Sequence, residues 1–312
     1  MPHPQRNTCD LASVGPADGA AILHHRTQIV PSKKTTMLTF AARAVPLILT
    51  VAGIVAAPSA TAAEKKPPKQ APLLLLEDFE STPAGQIPKN YTKTGALSVV
   101  DDVAHSGQHA LRMEAAINGP RRITVNDKAL MAALGGEHWG RLYYRVKTPT
   151  PLPPDGVIHS TLVSGMAESP QFKDQIEVRV LDTILTKTGA LSFIYNVQPS
   201  KRDEFANGSR GDYKFTDEWT LAEWHVDFAT QTYTLFINGM EVPGASMTKG
   251  AGNFDQCEIP ELFESLSFGW WNYQKAEPGG FTTWIDDIAL CKERIGDRGL
   301  PPPPPPPKKP KK

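Results

Sequence analysis

The feature that most constrains the fold is a series of short segments in which apolar and polar residues alternate with a period of two. RLYYRV (141–146) and QIEVRV (175–180) show the pattern, which is typical of strands with one buried face. Further strand-like segments are LSFIYNV (191–197), EWHVDFA (223–229) and YTLFINGMEV (233–242), and the last contains the hairpin signal Asn238–Gly239. Because NDKALMAAL (126–134) is the best helix candidate and is short, we predict an all-β jelly-roll sandwich of two antiparallel sheets.

The two ends of the chain differ from this strand-rich region. MLTFAARAVPLILTVAGIVAAPSATA (37–62) combines an arginine, an apolar run and a small-residue end, as a secretory signal peptide does. A membrane anchor is the alternative, but the run is shorter than the roughly 20 residues that a spanning helix needs. We expect an over-extended start at 1–36, a linker at 63–72, the jelly roll at 73–298 and a polyproline and lysine tail at 299–312.

The charge of the central region argues against nucleic acid as a partner. Residues 71–299 contain 21 Lys and Arg and 30 Asp and Glu, a net charge of −9. Nucleic-acid binding depends on neutralising phosphates, which an acidic domain does poorly. About 230 residues suffice for one sizeable core, and we expect a secreted monomer without a membrane span.

The cysteines point to a disulfide if the chain is exported. Cys9 lies ahead of the signal segment, which leaves Cys257 and Cys291 in the domain. Two cysteines in an exported chain favour one disulfide. The alternative is a pair of buried free thiols.

Two adjacent carboxylates interrupt the last strand-like segment, FTTWIDDIAL (281–290). Strict alternation puts Asp286 on one face with Trp284 and Ile288, and Asp287 on the other. A carboxylate in apolar company needs a cation or several donors. Since first and last strands of a jelly roll often pair, Glu80, an oxygen near Ser106 and Asp286 could converge on Ca²⁺. An Asp satisfied by arginine or by backbone amides is the alternative.

Two polar strand faces and an aromatic cluster could form a substrate groove. Arg141, Tyr143 and Arg145 share one face of their strand, and Gln175, Glu177 and Arg179 share one face of theirs. If both faces line one concave groove, they suit an acidic sugar polymer, because arginine binds carboxylates in bidentate fashion. Solvent-exposed convex faces are the alternative.

Three further side chains could take part in such a groove. Trp271 and Tyr273 could stack on a sugar ring, although core packing is the alternative for each. His159 sits among alternating residues in a strand-like segment, and its titration range suits a general acid or base. A half-buried, hydrogen-bonded histidine is the alternative.

Four motifs extend through most of the domain: EDFES (77–81), VAHSGQHALRM (103–113), EIPELFESLSFGWWNYQ (258–274) and TTWIDDIAL (282–290). They resemble the fungal cellulose-induced secreted protein family and its bacterial relatives, over about residues 76–296. The resemblance implies a concanavalin A-like jelly roll related to glucuronan lyases. It also implies a structural Ca²⁺ held by Glu80, Ser106 and Asp286.

The same resemblance implies site residues for β-elimination on a uronic-acid polymer. His159, Arg179 and Tyr195 match catalytic positions, and Arg141 and Arg145 match a substrate-binding strand. Tyr195, however, alternates with Leu191, Phe193 and Val197, a pattern typical of a core residue. Two hypotheses follow: an exported lyase on uronic-acid polysaccharides, and a non-catalytic carbohydrate-binding module, which a buried Tyr195 would favour. A cell-surface structural module without a groove is a third, weaker reading.

Overall fold

The computed structural model describes residues 70–200, 202, 205–209, 211–252 and 257–300. These residues form fifteen strands and one helix. Their bounds are β1 Leu75–Glu77, β2 Thr92–Thr94, β3 Leu97–Val100, β4 Ala110–Ala116, β5 Gly119–Val125, α1 Lys128–Leu134, β6 Glu137–Val146, β7 Val157–Glu168, β8 Gln175–Thr186, β9 Leu191–Pro199, β10 Phe205–Gly208, β11 Thr220–Asp227, β12 Thr232–Ile237, β13 Met240–Glu241, β14 Phe263–Asn272 and β15 Phe281–Cys291.

The strands build two antiparallel sheets. We call the first sheet A, with the order β13-β12-β11-β6-β15-β4-β3 and β1 paired to β15, and the second sheet B, with the order β10-β9-β8-β7-β14-β5-β2. Neighbours in each sheet are often far apart in sequence, as in a jelly roll. This arrangement confirms the predicted all-β sandwich of two antiparallel sheets.

The core lies between the sheets and is supplied by alternate residues of the strands, with the inward parity changing at register shifts in β7, β8 and β15. Leu142 and Tyr144 point inward from β6, while Val178 on β8 and Phe268 on β14 point inward from sheet B. Residues of the opposite parity lie on the two outer faces. Two local predictions were also confirmed: Asn238 and Gly239, both at positive φ, connect β12 to β13, and α1 lies within the helix candidate at 126–134, where Asp127 caps it.

The two ends of the domain lie side by side. Leu75 in β1 pairs with Leu290 in β15, as expected for first and last strands. The Arg298 guanidinium donates to the Ala71 carbonyl at 2.8 Å, and the Ala71 amide donates to Glu293 at 2.9 Å. Side chains and backbone therefore both hold the ends together.

The predicted disulfide is wrong, and the alternative of two buried thiols holds. Cys257 packs in the core between the sheets, where its Sγ contacts Met247. Cys291 lies in a separate cluster on the outer side of sheet A, near the carbonyls of Ala71 and Pro72. The two thiols belong to different layers of the sandwich.

Several predictions fall outside the described residues. These are the over-extended start at 1–36, the signal peptide at 37–62, most of the linker at 63–72 and most of the tail at 299–312. Within the part of the chain that the structure describes, no helix has the length and apolar character needed to cross a membrane.

Candidate functional site

The two polar strand faces predicted to share a groove lie on opposite sides of the sandwich. Arg141, Tyr143 and Arg145 are on β6, on the face of sheet A that points away from sheet B. Glu177 and Arg179 are on β8, on the outer face of sheet B. The prediction that the two faces share one groove is therefore wrong. The residues on each face were identified correctly, but the two faces belong to different sheets.

Two of the three predicted residues on β6, Arg141 and Tyr143, are not available to a substrate. Arg141 is fully buried and donates to the carbonyls of Asp287, Gly296 and Arg298. Tyr143 is buried under His105, with ring centroids 3.5 Å apart. We therefore correct both from substrate-binding to structural residues, while Arg145 keeps a partly exposed side chain.

The outer face of sheet B carries a stacked row of four side chains, which we call the arginine–aromatic row. The Arg122 guanidinium lies 4.6 Å from the centroid of Trp271. Trp271 stacks on Tyr273 at 4.7 Å, and Arg179 covers the other end with its guanidinium 3.9 Å from the Tyr273 centroid. The row thus begins on β5, continues through β14 and the residue that follows it, and ends on β8 beyond β7, with two aromatic rings between two cations.

Polar neighbours hold the two arginines of the row in place. Glu177 accepts from Arg122 at 3.0 Å and lies 3.6 Å from the Nε of Arg179. Ser164 Oγ is within hydrogen-bonding distance of both Arg122 and Glu177. One carboxylate therefore orients two guanidinium groups on the same face. Gln175 lies further along β8 and donates to Glu264 at 3.1 Å.

Asp182 is a buried carboxylate beside the row. Its Oδ1 accepts from Thr161 and from the Thr183 amide, while its Oδ2 lies 3.9 Å from an Arg179 nitrogen. Burial raises the pKa of Asp182 to about 7, although the nearby Arg179 charge and these hydrogen bonds act in the opposite direction. The Asp182 carboxyl group therefore changes charge near neutral pH.

Two buried polar atoms at this site lack a hydrogen-bond partner among the described residues: Oδ2 of Asp182 and Nε of Arg179. Buried polar groups in native proteins are nearly always satisfied, by the chain or by ordered water. The nearest opposite charges are Glu177, 3.6 Å from Nε of Arg179, and Arg179 itself, 3.9 Å from Oδ2 of Asp182.

His159 lies on the same outer face, two residues before Thr161 along β7, and is half-buried. Its backbone amide donates to Gln274 at 2.7 Å, and its carbonyl accepts from the Tyr273 amide. Thr161 Oγ1 in turn lies 3.2 Å from the Tyr273 phenol oxygen. Burial raises the pKa of that phenol above its ordinary value, so Tyr273 keeps its proton.

Tyr195 does not belong to this site. It is fully buried between the sheets, where its ring packs 4.6 Å from that of Tyr233 and its hydroxyl donates to the Glu258 carbonyl. The residues of its own parity, including Phe193 and Val197, are core residues as well. The predicted catalytic role of Tyr195 is therefore corrected to a structural one.

The two aspartates of β15 lie on the same side of sheet A, contrary to strict alternation. The pairing of β15 with β6 shifts register between Asp286 and Ala289, and Asp287 has a φ of 51°. This bulge inserts one extra residue into the strand. Both carboxylates consequently contact the segment at His105 and Ser106: Asp286 through backbone amides, and Asp287 through the Ser106 hydroxyl and the imidazole.

Asp286 and Glu80 reach this segment from two sides. Asp286 is fully buried, and burial together with the Asp287 charge raises its pKa to about 9. Glu80 accepts from the amides of Gln108 and His109, both at 2.8 Å. Among the described residues, no group of three or more His, Cys, Asp or Glu side chains is arranged to hold a metal ion. A cation here would need hydroxyl or carbonyl oxygens as well.

Sequence reasoning missed Arg122, Thr161 and Asp182 as members of the site. The segment RRITV (121–125) contains a signal for Arg122. Because side chains alternate along a strand, Arg121 shares the buried face of Ile123 and Val125, and Arg122 lies on the outer face. Asp182 had no such signal, because β8 shifts register between Arg179 and Asp182.

The comparisons with known proteins concern the fold. No family model matches the chain, and no curated protein is similar to it in sequence. The solved structure of the cellulose-induced protein Cip1 aligns with a TM-score of 0.50 and 20% identity, covering 71% of this chain and 99% of that one. An endo-β-1,4-glucuronan lyase from the fungus Trichoderma reesei aligns with a TM-score of 0.49 and 12% identity, covering 71% and 96%.

At 20% identity, the similarity to Cip1 establishes the fold alone. It agrees with the family resemblance that the sequence motifs carry.

Proposed function

We propose that the protein is exported and binds a uronic-acid-containing polysaccharide, as a monomer, along the outer face of sheet B. The arginine–aromatic row carries this proposal. Arg122 and Arg179 can each bind a carboxylate, and the ring edges of Trp271 and Tyr273 between them can contact the apolar parts of a sugar. Glu177 holds both guanidinium groups on this face, so that binding of a uronate carboxylate costs them little side-chain freedom.

A binding experiment tests this function. We expect polyglucuronate or alginate to bind in isothermal titration calorimetry, and Arg179→Ala and Trp271→Ala each to weaken binding about tenfold or more. Lys89→Ala removes an exposed cation elsewhere and should leave the affinity unchanged. Failure of both polymers to bind, or an equal loss in all three variants, would contradict the proposal.

A second candidate function is β-elimination, which the shared face of His159, Arg179 and Tyr273 favours. Arg179 would neutralise the uronate carboxylate and so make the C5 proton acidic. His159 would remove that proton, the C4–O bond would break as the C4=C5 double bond forms, and the protonated Tyr273 phenol would supply a proton to the leaving oxygen.

Ultraviolet absorbance of the unsaturated product separates the two functions. An absorbance rise with polyglucuronate that disappears in His159→Ala would identify a lyase. A flat trace with a polymer that still binds would identify a binding module. Tyr195→Phe should preserve either activity, because Tyr195 is remote from the outer face.

A structural Ca²⁺ at the joined chain ends is part of the proposal. Glu80, Asp286 and an oxygen of Ser106 would hold it, since hard oxygen donors suit calcium and a cation would stabilise the buried Asp286 carboxylate. We expect Ca²⁺ at about a hundredfold excess over its Kd to raise the Tm by roughly 5–10 °C.

Chelator and a matched variant test the calcium site. EDTA should reverse the rise in Tm, and Asp286→Asn should abolish the response to Ca²⁺. Asp155→Asn, which changes an exposed carboxylate, should retain it. A Tm that is insensitive to Ca²⁺ in the unchanged protein would rule the site out.

A further inference from the structure

A second row of arginines and an aromatic ring crosses the outer face of sheet A. Trp284 on β15 lies directly opposite Arg112 on β4 and Arg145 on β6. The three side chains therefore form a continuous line across three neighbouring strands. The Arg145 guanidinium lies 5.5 Å from the Trp284 centroid. This is the side of the sandwich opposite to the arginine–aromatic row.

Carboxylates fix both arginines of this second row. Arg112 donates through Nε and Nη2 to Glu114, at 2.9 and 2.7 Å, and Arg145 donates to Asp217 at 2.8 Å. Asp102 lies 3.6 Å from Arg112. Side chains that are held by charged partners lose little conformational freedom on binding, so this surface is preorganised for a polar ligand.

Two adjoining clefts open over the row. One has a volume of about 370 Å³ and is floored by Trp284, and the other has about 340 Å³. Asp102 and Arg145 line both clefts, which makes them one extended depression. The Trp284 side chain is mostly buried, and its indole N–H has no hydrogen-bond partner within the described parts of the chain. The Trp284 ring therefore forms part of the cleft wall, while its N–H lies below the surface.

The charges of the larger cleft balance. Its charged lining consists of three carboxylates and three cations: Asp102, Glu114, Asp217, Arg112, Arg145 and Lys147. Ion pairs of this kind offer hydrogen-bond donors and acceptors side by side, as sugar hydroxyls require. Because the charges cancel, the cleft has no net attraction for a polyanion. We propose that this depression is a second saccharide site, specific for a neutral polysaccharide and independent of the site on sheet B.

The experiment uses three neutral probes: cellohexaose, xylohexaose and mannohexaose. We expect at least one to bind in calorimetry, and Arg145→Ala and Trp284→Phe each to weaken that binding about tenfold, since the first removes a donor and the second reduces the ring surface that lines the cleft. Trp271→Ala on the opposite face should bind the same probe with unchanged affinity.

Spectroscopy supplies an independent readout. In an ¹⁵N spectrum, the Trp284 indole resonance is identified as the one that is missing from Trp284→Phe. In the unchanged protein this resonance should shift when the oligosaccharide that binds is added. A thermal melt shows whether each variant is folded. Absence of binding by all three probes would overturn the proposal, as would loss of binding in Trp271→Ala or an indole resonance that does not move. The polyuronate experiment is separate, so failure of one site leaves the other testable.

Discussion

Replacing Arg121 with alanine should lower the free energy of unfolding by about 3–5 kcal/mol, because two buried acceptors and one partly buried acceptor lose a charged donor and a cavity remains. Arg121 points inward from β5 and is 2% exposed. Its guanidinium donates to the carbonyls of Glu114 and Phe281 at 2.7 Å and to the Asn272 side chain at 2.5 Å. Glu114 and Phe281 belong to sheet A, so this arginine joins the two sheets.

The neighbouring arginine is a matched control for this prediction. Arg122 has the opposite parity and lies on the outer face, where its contacts are partly exposed. Arg122→Ala should change the unfolding free energy by less than about 1 kcal/mol and weaken polyuronate binding instead. Urea denaturation monitored by tryptophan fluorescence measures both variants. Equal destabilisation by the two would show that the inter-sheet hydrogen bonds of Arg121 contribute little.

The predictable part of the fold is the part that strand alternation controls. Apolar residues of one parity must be buried, so β6, β8, β9 and β12 could be located and their inward faces identified from the sequence. The hairpin at Asn238–Gly239 followed from local backbone preferences, and α1 lies within the helix candidate at 126–134. Pairing of the first and last strands was expected from the jelly-roll topology and was confirmed.

The candidate site was less predictable, because parity within a strand does not say to which sheet the strand belongs. Arg145 and Arg179 therefore seemed to belong to one groove, although the core separates them. Bulges cause the other errors. Asp287 takes a positive φ that nothing in its sequence context signals, and this places it on the same side as Asp286.

Both outer faces combine arginines, carboxylates and aromatic rings, but the carboxylates differ in burial. On sheet B, burial raises the pKa of Asp182 well above that of an ordinary aspartate, so it compensates the Arg179 charge less than an exposed carboxylate would. On sheet A, both arginines contact partly exposed carboxylates. This difference is the physical reason for assigning the acidic polymer to sheet B and the neutral one to sheet A.

Replacing His138 with leucine should remove a large part of the acid sensitivity of the fold. His138 is fully buried in the core beside Phe263, and neither ring nitrogen has a hydrogen-bond partner in the described structure. Burial, with smaller effects of Lys292 and His225, lowers its pKa to about 3. The unfolded chain takes up a proton below about pH 6.5, while the folded protein does not. Folding stability therefore falls as the pH decreases.

The expected size follows from this difference in pKa. Relative to His138→Leu, the unchanged protein should lose about 1.4 kcal/mol of unfolding free energy for each pH unit below 6.5, which amounts to about 2 kcal/mol at pH 5. Above pH 7 the difference in unfolding free energy between the two proteins should be constant, because the histidine is then neutral in both the folded and the unfolded chain. Denaturation at pH 5 and at pH 7.5 measures this difference in unfolding free energy. As a control, His225→Gln replaces a partly exposed histidine on the outer face and should retain the acid sensitivity. A pH-independent difference between His138→Leu and the unchanged protein would mean that acid opens this part of the core to solvent before the chain unfolds, since His138 could then be protonated in the folded state.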